Sequence, residues 1–318
     1  MQEHQTKQNQ HMQDQHMQNQ YTQQTPHIQK DIHTQQNLHT RQNPLTQQGF
    51  HTLQNLHTHT NYCDGTLSAE EMVKAALNKG CAALGFSEHS HLDFDKDYAM
   101  SKHGTYEYVN EIKRLKAKYA GDIEIYLGLE RDYLSEIEQD ITFDYVIGTV
   151  HYINRNICVD NGAKKQQEAA NTHYGGDYYS FVEAYFKAVA DAVRKTGANI
   201  VGHFDLITKY NSGGAMFDEK HPRYISAALE AMDDALKSCK LFEVNTGAMY
   251  RLGNPEPYPS VFLLKELYKR GGEVILASDS HDAESICWKF DEMRELLKEC
   301  GFRYSKILTA EGFIDVAL

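Results

Sequence analysis

From about residue 53 the chain alternates between short apolar runs that end in polar residues and longer segments with helical periodicity. This alternation restricts the fold more than any other feature. Helical segments are read over 68–80 (SAEEMVKAALNKG), 105–121, 178–197, 223–239, 258–272 and 291–301. The first opens on Ser68 with Glu71 three residues on, a capping box, and stops at Gly80. Strand-like runs lie between them: a stretch ending in HTHT at 57–60, then ALGFSEH, IEIYLGLERDY, DYVIGTVHYI, NIVGHFDLI, LFEVNTG and EVILASDSHD. Seven strands interleaved with helices predict an α/β fold built as a parallel, TIM-like barrel. A doubly wound open sheet is the alternative, but no GxGxxG follows the first strand.

Every run but one ends in a side chain that can hold a metal. His57 and His59 end the first, and their i, i+2 spacing puts them on one face of a strand. Asp64 follows in the turn. The next four runs end in Glu88-His89, Glu130, His151 and His203; the sixth ends in Asn245-Thr246-Gly247, the seventh in Asp279-Ser280-His281. In an α/β barrel all C-terminal strand ends converge on one rim. Six histidines and three carboxylates (Asp64, Glu130, Asp279) would then meet in one bowl. Imidazole with carboxylate suits Zn, Mn or Fe, and nine ligands suit two or three ions. An isolated HxH is a weak signal, and a single buried histidine is more often a satisfied core residue. The weight lies on the ensemble.

Residues 1–52 have another character. Gln, Asn, His and Thr dominate, and apolar residues are sparse and aperiodic, so this composition predicts a disordered, low-complexity tail ahead of a folded domain at 53–318. His33, His39 and His51 sit in His-Thr pairs like that of His57, but no strand or partner accompanies them. QNLHT at 36–40 recurs at 54–58, which suggests either a short duplication or translation from a start upstream of the functional one. The formal charge is −12, and Lys7, Lys30 and Arg41 balance Glu3, Asp14 and Asp31 over residues 1–55, so the body carries the whole excess. An acidic body disfavours nucleic-acid partners. No apolar run is long enough for a bilayer, and no leader pattern opens the chain. Six cysteines without a CxxC pair read as reduced thiols, so a cytoplasmic location is expected.

LHTHTNYCDG, GFSEHS, YLGLERDY, IGTVHYI, VGHFDLI, EVNTGAMYRLGNPEPYPS and SDSHD occur in this order from about residue 54 to the C-terminus. The sequence thereby resembles the PHP (polymerase and histidinol phosphatase) family, and within it the histidinol-phosphate phosphatases. The resemblance implies a distorted (β/α)7 barrel and up to three divalent metal ions. His57, His59, Glu130 and Asp279 would hold the first. Glu130 would bridge to a second, held also by His151 and His203; Asp64, His89 and His281 would hold the third. It implies hydrolysis of a small phosphate monoester, L-histidinol phosphate above all, in histidine biosynthesis.

Such chemistry needs an activated nucleophile and neutralised phosphoryl oxygens, which paired metals supply. Asp279 or His203 is the candidate donor of the leaving group's proton, with Glu130 the bridging carboxylate. Arg251, after the one strand without a ligand, is the leading phosphate anchor, ahead of Lys209 and Arg131. An ordinary ion pair is the bland reading of each. Competing classes are the amidohydrolase barrel, a polymerase-linked nuclease, another PHP phosphoesterase acting on a different small ester or a nucleic-acid end, and a metal-holding module without catalysis. The oligomeric state is open.

Overall fold

Each apolar run of the folded region becomes a strand or a loop end on one barrel. The computed structural model describes residues 53–136 and 140–318. The tail expected over 1–52 lies outside the described residues. In chain order the elements are β1 (Gln54–Asn55), α1 (Ala69–Asn78), β2 (Ala83–Phe86), α2 (Lys102–Lys118), β3 (Glu124–Asp132), β4 (Tyr145–Thr149), β5 (Tyr152–Asn154) and β6 (Ile157–Cys158). There follow α3 (Ala163–Tyr174), α4 (Tyr178–Thr196), β7 (Ile200–Val201), α5 (Pro222–Ala235), β8 (Leu241–Asn245), α6 (Gly247–Leu252), α7 (Val261–Lys269), β9 (Glu273–Ala277), α8 (Phe290–Cys300), β10 (Tyr304–Thr309) and β11 (Gly312–Ala317).

Seven strands form one sheet in the order β1-β2-β3-β4-β7-β8-β9, every pair parallel. A parallel bridge between Thr58 and Ser280 brings the two ends of the sheet together. The His59 amide donates to the Ser280 carbonyl at 2.8 Å and the Ser280 amide to the His57 carbonyl at 3.0 Å. The sheet is therefore a near-closed barrel, not an open doubly wound one. Side chains complete the seam where β1 is too short to do so. The Asn55 amide group donates to the His57 carbonyl at 2.9 Å, and its oxygen accepts from the Ser278 amide at 3.0 Å. Gln54 exchanges two hydrogen bonds, 2.9 and 2.7 Å, with the backbone of Leu308 in β10. Gln54 and Asn55 have the residue types of the tail, yet both are buried because their amides replace missing ladder bonds.

The six helices read from the sequence are present, and α1 begins with the expected capping box between Ser68 and Glu71. Two more, α3 and α6, were not expected. The run 144–153 is broken: β4 stops at Thr149, and the chain turns through His151 into an antiparallel hairpin, β5–β6. Buried apolar faces such as Met72, Val73 and Ala76 of α1 pack the helices against the sheet. Among the described residues no helix is long and apolar enough to cross a membrane.

Candidate metal centre

The strand ends deliver all nine expected side chains to one place. His57 Nε2 lies 3.3 Å from Glu130 Oε2 and 3.6 Å from Asp279 Oδ1; for His59 Nε2 the distances are 3.3 and 3.2 Å. Ligand atoms held about 2.0–2.1 Å from a tetrahedral ion stand roughly 3.3 Å apart, so this quartet has the right spacing. The Nε2 atoms of His57 and His59 and Oε2 of Glu130 are also buried without a hydrogen-bond partner among the described residues. A buried polar atom left unpaired is costly, and a cation among these three would satisfy them together. The residues fit a metal.

Two further groups adjoin the quartet. Glu130 Oε1 is 2.9 Å from His203 Nε2 and 3.6 Å from His151 Nε2. Asp64 Oδ1 is 3.5 Å from His89 Nε2 and 3.2 Å from His281 Nε2. The His59 ring packs against those of both His89 and His281, with centroids 4.3 Å away in each case, and those two rings stand 6.4 Å from each other. His89 Nδ1 also approaches Glu130 Oε2 at 2.8 Å, so Glu130 touches every group.

The electrostatics describe a site that wants positive charge. Burial opposes a proton on His57, but the carboxylates of Glu243, Asp279 and Glu130 outweigh it and hold its pKa well above 6.5. His89 is raised to about 9, where burial is overcome by Glu130 and Asp64. His59 goes the other way, to about 3, because burial is joined by the charges of His281 and His89. Burial disfavours the ionised carboxyls of Glu130 and Asp279, yet both are held well below the usual range: Glu130 by His89, His57 and His151, Asp279 by Arg251 and His57.

Sequence reasoning missed the residues that hold these ligands. Glu243 of β8 accepts at Oε2 from His57 Nδ1, 2.7 Å away, and at Oε1 from the His203 amide at 2.6 Å. Asp132 of β3 accepts from the His151 amide at 2.8 Å and lies 3.4 Å from His151 Nδ1. The signal for Asp132 was available, since it follows Glu130 by two residues on one strand and so shares its face. A lone acid inside LFEVN was the signal for Glu243.

A cavity of about 420 Å³ opens beside the cluster, lined by Glu130, Arg251, Lys209, Asp160, Tyr98 and Tyr152 among others. Arg251 of α6 donates through Nη2 to Asp279 Oδ2 at 2.8 Å and through Nη1 to the Asp279 carbonyl at 2.5 Å. The pair closes over Gly247: a Cβ there would stand 2.9 Å from both Arg251 Nη2 and Asp279 Oδ2 and would push them aside. Lys209 reaches the cavity in an ion pair with Asp160. Arg131 does not reach it. Its Nη1 donates to the Thr196 carbonyl at the end of α4, 2.7 Å away. Glu130 points inward, so strand alternation turns Arg131 outward, and its candidacy as a phosphate anchor is corrected.

The model of the PHP domain matches residues 55–247. A protein of Schizosaccharomyces pombe named "Probable histidinol-phosphatase" is 28% identical over 250 residues, covering 73% of this chain and 81% of that protein. One of Deinococcus radiodurans with the same name is 29% identical over 258 residues, 77% of this chain and 92% of its own. The crystal structure of histidinol phosphate phosphatase from Lactococcus lactis, complexed with zinc, L-histidinol and phosphate, superposes with a TM-score of 0.62 at 23% identity. It covers 83% of this chain and 99% of that one. With more than half its length matched by the family model, and the candidate ligands of the HxH, Glu130 and His203 runs inside that match, the chain belongs to the PHP domain family.

Proposed function

We propose that this chain is a metal-dependent phosphoric monoester hydrolase that converts L-histidinol phosphate to L-histidinol and phosphate, a step of histidine biosynthesis. The carrying observation is the convergence of buried, unpaired ligand atoms of His57 and His59 on Glu130, which lines one cavity together with Arg251 and Lys209. His57, His59, Glu130 and Asp279 hold one divalent cation. Glu130, His151 and His203 hold a second, and Asp64, His89 and His281 a third. Bound there, Zn, Mn or Fe ions supply what a phosphate monoester lacks in water: neutralised phosphoryl oxygens and an acidified water molecule.

The remaining work falls to the chain. Arg251 offers guanidinium donors to the phosphate, and its grip on Asp279 fixes their direction. Lys209 adds a second cation once substrate competes with Asp160 for it. The proton lost by the attacking water has to reach the leaving alkoxide, and Asp279 and His203 are the two candidates to carry it; Arg251 holds Asp279 ionised and so weakens it as a base.

A phosphate-release screen on metal-replete protein tests the reading. L-histidinol phosphate should be hydrolysed far faster than any phosphodiester, with two to three equivalents of metal in the protein and activity lost on chelation. Arg251→Ala should raise KM while leaving metal content nearly intact. Faster cleavage of diesters would overturn the substrate class; active, unchelated protein holding less than one equivalent would overturn the metal reading.

A further inference from the structure

We propose that Cys63 is a positioning residue for the metal centre: its thiol links the imidazole of His59 to the buried carboxylate of Glu88 and so fixes the ring that faces Glu130 and Asp279. The inference rests on the metal-dependent reading above and adds a residue to it.

Cys63 lies in the turn after the HxH pair, which the Thr60 carbonyl closes by accepting from the amides of Cys63 at 3.1 Å and Gly65 at 2.9 Å. Its sulfur stands 3.4 Å from His59 Nδ1 and donates to Glu88 Oε2 at 2.6 Å. Glu88 cannot drift, because it also accepts from the Thr60 amide at 3.1 Å and the Thr60 hydroxyl at 2.6 Å. An imidazole that presents Nε2 to a cation must carry its hydrogen on Nδ1. The order of donors is then fixed along the chain. His59 Nδ1 donates to the sulfur, and the sulfur's own hydrogen goes to Glu88 Oε2 at 2.6 Å in preference to Asp64 Oδ1, which stands 3.3 Å away.

The two histidines of the motif are therefore backed unequally. His57 Nδ1 meets a carboxylate directly, Glu243 at 2.7 Å. His59 meets a neutral thiol, with the carboxylate one hydrogen bond further away. A carboxylate behind a ligand imidazole raises its basicity, so His59 is the weaker donor of the pair. Its orientation matters twice, because the ring packs against His89 and His281 as well as facing Glu130 and Asp279. A tilt of His59 would disturb two groups of ligands at once.

The test separates hydrogen bonding from packing. Full-length metal-free protein is titrated with Zn(II) against a chromophoric chelator, and Co(II)-loaded samples are followed by visible absorption, for Cys63→Ser, Cys63→Val and Cys63→Ala. Serine can pass on the same two hydrogen bonds; valine fills the space and passes on neither. Serine should stay within about threefold of the unsubstituted protein, whereas valine and alanine should weaken Zn(II) binding by about 10–100-fold, the usual effect of losing such a partner. The Co(II) bands should shift in the valine and alanine proteins and not in the serine protein. Valine at full affinity, or serine as impaired as valine, would overturn the proposal. If alanine prevents folding, the serine–valine pair still decides. Failure of the unsubstituted protein to take up Zn(II) would overturn the metal reading itself, and this inference with it.

Discussion

Glu130 is the side chain whose loss the site can least absorb. Its Oε2 faces His57, His59 and His89, while Oε1 faces His203 and His151. Glu130→Ala should therefore reduce metal content and cut turnover beyond the about 10–100-fold expected for a mere outer partner. Elemental analysis alongside phosphate release checks both; near-normal metal with normal turnover would refute the bridging role. His89, together with His57, sets the pH dependence. Burial works against the charge of His89, yet Glu130 and Asp64 raise its pKa from 6.5 to about 9, so the folded apoprotein binds this proton more tightly than the unfolded chain does. The resulting stabilisation is complete below pH 6.5 and is lost as pH rises through about 9. Metal needs the neutral ring, so uptake near neutrality should release a proton and affinity should climb toward pH 9. Calorimetric titrations in buffers of different ionisation enthalpy should give different apparent heats; identical heats would contradict the raised pKa.

At the level of elements, the barrel interior is filled by matching one large residue with small ones beside it. Tyr145 opens β4 and points inward, fully buried, over its register partner Gly128 on β3 and over Gly85 on β2. Its hydroxyl donates to the carbonyls of Leu56 and Phe86, tying the approach to His57 into the core. A Cβ on Gly128 would come within 2.2 Å of the Tyr145 ring, so Gly128→Ala should destabilise the fold by about 1–3 kcal/mol through overpacking. Thermal melting of metal-free protein measures this, and an unchanged midpoint would show that the ring can move aside. The same geometry explains what the sequence made legible. Strand ends announce themselves as apolar runs closing on His, Asp or Glu, so the nine candidate ligands stand out in the sequence. Two-residue alternation past Glu130 turns Arg131 outward and brings Asp132 to the inner face. The β5–β6 hairpin left little trace, since YINRNIC continues the β-rich run of β4 without a strong breaker. The seam residues Gln54 and Asn55 look like tail, and only their partners, Leu308 and Ser278 over two hundred residues away, give them a structural role.

For the whole molecule, residues 53–318 should be sufficient for folding and for the chemistry. All seven barrel strands, the Thr58–Ser280 closure and the nine candidate ligands lie within that span. Its first residues are already committed to the core through Gln54 and Asn55, so a chain beginning at Leu53 retains the hydrogen bonds that join β1 to β9 and β10. Deleting 1–52 should therefore leave metal content, turnover and melting temperature nearly unchanged. A matched set of substitutions sharpens the test. His33→Ala, His39→Ala and His51→Ala combined should do little, whereas His57→Ala or His59→Ala alone should abolish most turnover. All five histidines precede a threonine, so local sequence cannot account for a difference. His57 and His59 stand at the end of a strand that brings them to Glu130 and Asp279. A truncated protein that folds but loses its metals would place a ligand in the first fifty-two residues and break the division at residue 53.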